Sequence, residues 1–206
     1  MSKAEYVKSI GINPVDCNTY KDRDGNSSMS ELKYLIPERK SLCLNYDFEE
    51  KGSTENIQVN GLSYDVVEAN YEASKVIESI GHSSKAIFFK DRLISLEIIF
   101  PKVGLETLTS KYGEPKIEDK RKIEICKNRI GNEFENNVGK LDAVWTNGEV
   151  EAKLRAEVSP PRETCTDGIT MQYYLLEEPK QLKIIEDAIN KYREVISKET
   201  AKDSPF

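Results

Sequence analysis

Apolar and polar residues alternate with a period of two along much of the chain and recur at helical spacing in a few places. The clearest alternation follows Asn147-Gly148: Val150, Ala152, Leu154, Ala156 and Val158 interleave with Glu149, Glu151, Lys153, Arg155 and Glu157. That pattern predicts a strand with one buried and one wet, charged face, as an antiparallel sheet allows. Asn147-Gly148 is read as the turn of a hairpin spanning Leu141 to Val158, and Asn60-Gly61 as the turn joining Ile57-Gln58-Val59 to Leu62–Tyr71. A third hairpin is expected where Ala86–Phe89 and Leu93–Phe100 flank Lys90-Asp91-Arg92. Ile94, Leu96, Ile98 and Phe100 are expected on one face of its second strand, near the centre of the sheet. Further strands are expected from Ser41, where Leu42, Leu44 and Tyr46 alternate with Cys43 and Asn45, and at Lys122–Lys127 and Ile169–Leu176.

Helical spacing is confined to three segments. Val76, Ile77 and Ile80 share a face within Ala73–Ile80, which stops at Gly81. Leu105, Leu108 and Tyr112 recur until Gly113 and Pro115, and Leu182, Ile185, Ile189, Tyr192 and Ile196 form one stripe in Pro179–Ser197. These elements predict an α+β fold: a predominantly antiparallel sheet built from hairpins, with about three helices covering one face, the last of them C-terminal. Residues 1–40 read as an irregular N-terminal arm broken at Asn13-Pro14, Asp24-Gly25 and Ile36-Pro37, with Glu31–Ile36 as its one helical turn or two. Residues 41–200 read as a single α+β domain and 201–206 as a frayed tail.

Composition narrows the function classes. The 206 residues include 38% hydrophobic ones, enough for a sizeable core, and no run approaches the length of a membrane-spanning helix. The formal net charge is −6 and the basic residues are scattered, which argues against nucleic acid as a partner. Met1-Ser2-Lys3-Ala4-Glu5-Tyr6 contains no apolar signal-peptide core, so no export signal is expected in the sequence as written. Cys17, Cys43, Cys126 and Cys165 form no Cys-x-x-Cys motif. Two disulfides or four thiols are the alternatives, and Cys17 with Cys43 and Cys126 with Cys165 is the most local of three connectivities. Each such loop would contribute about 3 to 4 kcal/mol if unstrained.

Candidate chemistry is sparse. Asp22, Asp24 and Asn26 stand at positions 1, 3 and 5 of a calcium-type loop, but Ser27 replaces its glycine and Lys33 its closing glutamate, so a solvated turn is expected and no metal or cofactor. His82, the single histidine, lies in Gly81-His82-Ser83-Ser84 and reads as a loop residue; no nucleophile elbow or glycine-rich phosphate cradle accompanies it. The carboxylate pairs Glu49-Glu50, Glu118-Asp119 and Glu177-Glu178 read as solvated charge, and Asn26-Ser27-Ser28 as a chance glycosylation pattern. Trp145 reads as a core aromatic. Among ten tyrosines, Tyr64, Tyr71, Tyr173 and Tyr174 fall on expected strands and are the candidates for a protein-binding face.

From Phe88 to Tyr174, a little under half the chain, the parts follow a familiar order: the Lys90-Asp91-Arg92-Leu93 hairpin, a helix closed by Lys111-Tyr112-Gly113-Glu114-Pro115, then Asn128-Arg129-Ile130-Gly131 with Phe134-Glu135-Asn136. Trp145 before a charged strand, Cys165 and Tyr173 complete it. This order resembles small bacterial exported domains, periplasmic or lipoprotein-like, built as α+β sandwiches and carrying no assigned activity. The resemblance implies a Cys126–Cys165 bridge, no catalytic residue and a periplasmic or otherwise exported location. The expectation is a non-enzymatic protein that occludes another protein, as an inhibitor or immunity protein does. The alternatives are a cytosolic inhibitor of a bacterial defence system carried by a phage or mobile element, and an enzyme with an unrecognised site.

Overall fold

A computed structural model describes residues 1–16, 52–159 and 170–202. The Ser41–Tyr46 strand, the Glu31–Ile36 turn, the calcium-type loop at Asp22, Asp24 and Asn26, and Cys17, Cys43 and Cys165 lie outside the described residues. In chain order the elements are α1 (Lys3–Ile10), β1 (Val15–Asp16), β2 (Ser53–Val59), β3 (Leu62–Asn70), α2 (Lys75–Ile80), β4 (Ser83–Phe89) and β5 (Arg92–Ile99). There follow α3 (Leu105–Tyr112), β6 (Lys116–Asp119), β7 (Lys122–Lys127), β8 (Glu133–Asn147), β9 (Val150–Val158), β10 (Thr170–Glu177) and α4 (Pro179–Lys202). The fold is α+β: one mostly antiparallel sheet in the order β1-β2-β3-β4-β5-β10-β9-β8-β6, with β7 also paired to β8. The only parallel pair among the described strands is β1 with β2, and β5 stands at the middle of the strand order, as expected.

The hairpins form where the turn residues dictate. Asn60 and Gly61 both take positive φ, 48° and 75°, which matches the twist of the flanking strands. Lys90 and Asp91 do the same without glycine, at 52° and 55°; here the Asp91 carboxylate accepts a bond from Lys3 N at 3.1 Å. In the β8–β9 hairpin Thr146 faces Glu151 and Asn147 faces Val150, so the loop is Gly148-Glu149, one residue later than expected.

Two expectations about the layers are corrected. Helices cover both faces of the sheet, not one: Ile185 and Ile189 of α4 pack on Ile57, Tyr64, Val66, Ile87, Phe89 and Ile94, whereas Tyr6 and Ile10 of α1 and Ile77 of α2 pack on Val67, Ala69, Ala86 and Phe88. Adjacent strand residues point to opposite sides, so Val66 and Val67 serve different cores. On the same face as α1 and α2, Leu108 of α3 caps Ala143, Trp145 and Ala152 in a third cluster. The expectation that Ile94, Leu96, Ile98 and Phe100 share a face also fails. Ile87 faces Ser95 but Phe88 faces Leu93, and the extra residue, Ile94, makes a bulge that turns it toward α4 while Leu96 packs toward α1 and α2.

Residues 3–10, expected to be irregular, form α1. Ser2 Oγ accepts from Glu5 N while the Glu5 carboxylate accepts from Ser2 N, a capping box that closes both orphan amides. Tyr6 Oη donates to Ser84 Oγ at 3.1 Å in the core, and Lys3 pairs with Asp65 at 2.8 Å. Trp145 is a core residue, 5% exposed, and its indole N–H donates to the Gly113 carbonyl at 2.7 Å, which pins the end of α3. Among the described residues, no helix is long and apolar enough to cross a membrane.

Candidate binding arm

Strands β6 and β7 are two parts of one long edge. Lys116 faces Val144, Asp119 faces Leu141, Lys122 faces Val138 and Lys127 faces Glu133, a register that runs without a slip through the pause at Lys120-Arg121. On its other side, among the described residues, β8 pairs with β9 from Gly139, opposite Val158, to Asn147. Beyond Gly139 the hairpin is, among the described residues, a two-stranded ribbon, and six residues of β7 give it a reach of about 20 Å. Gly139 marks the junction with φ 118°, and a Cβ there would stand 2.8 Å from the Lys120 carbonyl oxygen.

The ribbon is well defined at its tip. Asn128 Oδ1 accepts from Ile130 N and Asn132 N at 3.1 and 2.9 Å, and Asn128 N donates to the Asn132 carbonyl at 2.9 Å. Ile130 stands at that tip 83% exposed, and along the shaft Ile123 and Ile125 are 67% and 66% exposed. Phe134 on the opposite face is 42% exposed. Cys126, which faces Phe134, is disulfide-bonded, its partner lying outside the described residues. Cations of the arm are matched locally: Arg121 with Asp119 at 2.6 Å, Lys122 with Glu124 at 2.7 Å and Lys127 with Glu133 at 3.4 Å. The Arg121 hydrogen bonds hold the Asp119 carboxyl down at about 2. The open apolar side chains of the arm are its isoleucines.

The tyrosines separate. Tyr64 is a core residue, 3% exposed beneath α4, so it presents no face to a partner. Tyr173 and Tyr174 point to opposite sides of β10: Tyr174 is half-buried beneath α3, while Tyr173 lies on the charged face and its hydroxyl donates to Met171 Sδ at 3.3 Å. Burial raises both phenols, and Glu157 and Glu97 add to the effect at Tyr173. Tyr71 falls just beyond β3, 39% exposed, its ring 4.7 Å from that of His82. With Phe100, whose ring is 6.2 Å from the imidazole, and Glu78, Gly81 and Lys102, they line an open groove of about 330 Å³, with no serine or cysteine among its described lining residues.

On the face shared with α4, the far half of the sheet is a lattice of charge. Arg155 clamps Asp142 through two bonds of 2.7 and 3.0 Å, and these hold the Asp142 carboxyl low. Near β2, burial first and then Glu68 and Asp16 push Glu55 up to about 7. Burial also raises Glu177. Among the described residues no group of three or more His, Cys, Asp or Glu is arranged to hold a metal ion.

Sequence reasoning missed the arm. The alternation of Lys122-Ile123-Glu124-Ile125 identifies a strand with an apolar face, but the same pattern describes a buried face and an open one. No family model, curated protein or solved structure matches the chain.

Proposed function

We propose that this protein is a non-enzymatic binding protein that occludes another protein, in the manner of an inhibitor or immunity protein, and that the 122–138 hairpin is the part it inserts. The observation that carries the reading is the projecting arm with Ile123, Ile125 and Ile130 each more than half exposed. Two-stranded ribbons are marginal in water, and open apolar side chains on one add nothing to its stability until something covers them. A net charge of −6 would speed encounter with a basic target, leaving the arm to supply close contact. An oxidising, exported compartment such as the periplasm is part of the reading, supported by the disulfide at Cys126.

The test is site-specific photo-crosslinking in the native cell, with the crosslinker at position 130 and, as control, at the exposed position of Glu186 on α4. A discrete adduct from position 130 alone, lost in Ile123→Glu/Ile125→Glu, is the expected result. Equal adducts from both positions, or an adduct indifferent to the two charges, would overturn it. Thiol counting on protein trapped in those cells separates the compartments, since four free thiols would place the same binding activity in the cytosol.

A further inference from the structure

The backbone of the arm says what kind of surface it binds. Lys120 N donates to the Lys140 carbonyl at 2.8 Å and Asn128 N to the Asn132 carbonyl at 2.9 Å, so at both ends of β7 the even-numbered residues form the hydrogen-bonded pairs with β8. With the register unbroken between them, Lys122, Glu124 and Cys126 turn their N–H and C=O groups inward. Ile123, Ile125 and Lys127 turn theirs outward, away from β8. Arg121, of the same parity, already satisfies its outward N–H on Asp119 Oδ1 at 3.0 Å, which confirms the direction. No described strand pairs with this outer edge of β7. The side chains of the outward-bonding residues are Ile123 and Ile125, 67% and 66% exposed, flanked by Arg121 and Lys127.

Resting on the function proposed above, we infer that the arm captures its partner by strand addition: an extended segment of the partner pairs with the outer edge of β7 through the backbone of Ile123, Ile125 and Lys127. The partner segment has apolar residues at two alternate positions, stacked on Ile123 and Ile125, and beyond them carboxylates that Arg121 and Lys127 take beside the Asp119 and Glu133 they already hold. A second copy of this chain fits poorly in the register that stacks both isoleucines. A two-fold pairing that sets Ile123 against Ile125 of the other copy also sets Glu124 against its own equivalent and Arg121 against Lys127, like charges directly opposed.

The test uses ¹⁵N-labelled full-length protein with its disulfides intact, and as probe the capped peptide Glu-Thr-Ile-Thr-Ile-Thr-Glu with a scrambled peptide as control. Saturable shifts and slowed hydrogen exchange are expected at the Ile123, Ile125 and Lys127 amides, with the scrambled peptide inactive. Proline at position 125 removes an amide that no described strand uses, as edge strands tolerate. Ile125→Pro should therefore bind about tenfold more weakly than Ile125→Ala, which loses the same side-chain contact but keeps the amide. Equal binding by the two variants, or shifts without slowed exchange, would overturn strand addition. A concentration-dependent dimer protecting the same amides would overturn it in favour of self-pairing. If the position-130 adduct survives in Ile125→Pro, strand addition fails and the arm reading stands. If wild-type protein gives no adduct, the arm reading fails, and the peptide titration still decides the chemistry of the edge.

Discussion

Gly139 is the hinge on which the arm's geometry depends, and Gly139→Ala tests that directly. Its φ of 118° lies where L-residues are rarely found, and holding alanine there costs about 1–3 kcal/mol. The added Cβ would also meet the Lys120 carbonyl oxygen at 2.8 Å and the Arg121 Cα at 3.2 Å. Both are backbone atoms, fixed in place by the Lys120–Lys140 bond, so they cannot swing aside as a side chain would. Overpacking of this kind adds about 1–3 kcal/mol, and with each contribution toward the low end of its range the total is about 3 kcal/mol. Gly148 supplies the control: its φ is 63° and nothing lies within 4 Å of a Cβ built there, so Gly148→Ala carries only the left-handed penalty of about 1 kcal/mol. In a chain of this size the two should lower Tm by about 6–12 °C and about 2–4 °C respectively. Urea unfolding followed by the fluorescence of Trp145, the single tryptophan, measures the body of the sheet. Hydrogen exchange at Lys122, Glu124 and Cys126 measures the arm and should accelerate more in Gly139→Ala than in Gly148→Ala. Equal costs for the two variants would refute the contact argument, and unchanged exchange in the arm would refute its dependence on Gly139.

Phe88, fully buried in β4 against Tyr6 of α1, should cost about 3–5 kcal/mol as Phe88→Ala, read by urea denaturation. Ser2→Ala breaks the capping box of α1 and should cost about 1 kcal/mol, with the extra amide exchange confined to residues 3–10. Folding raises the Glu55 carboxyl to about 7, so its contribution is whole below the unfolded carboxylate pKa and is lost as pH rises through about 7. Glu55→Gln should therefore stabilise at about pH 8 by about 1 kcal/mol, discounted for the half of the side chain in reach of water, and change little at about pH 4. Asp142 has the opposite sign: Arg155 holds its carboxyl low, so its stabilisation is present above the unfolded pKa and is lost as pH falls through the folded one. Asp142→Asn should flatten the acid limb of a stability-against-pH curve and cost about 1–3 kcal/mol at neutral pH.

What the sequence made legible was local. Asn60-Gly61 announces its hairpin because the two positive φ values suit those two residues, and the charged alternation of β9 follows from a face that stays wet. Gly81 stops α2 for a reason the sequence does not display: a Cβ there would stand 2.4 Å from Ile98 Cγ2. The α1 helix was readable in principle from Ser2 and Glu5, three apart and followed by Gly11, but a short polar segment carries little periodicity. The layer assignment failed because alternation names a face without naming its cover, and because the bulge at Ile94 changes the parity of β5 with no marking residue. The same ambiguity hid the arm, where Ile123 and Ile125 alternate just as core residues do.

Strand β5 also governs how the molecule comes apart. Within two consecutive residues β5 delivers Leu93 to the core beneath α1 and α2 and Ile94 to the core beneath α4, so one strand is a shared wall between two rooms. Neither room can be emptied while the other stays furnished, since pulling β5 away from α4 strips Leu93 and Leu96 from their neighbours as well. The two helical layers, held by different residues on opposite sides, are thereby bound to a common fate.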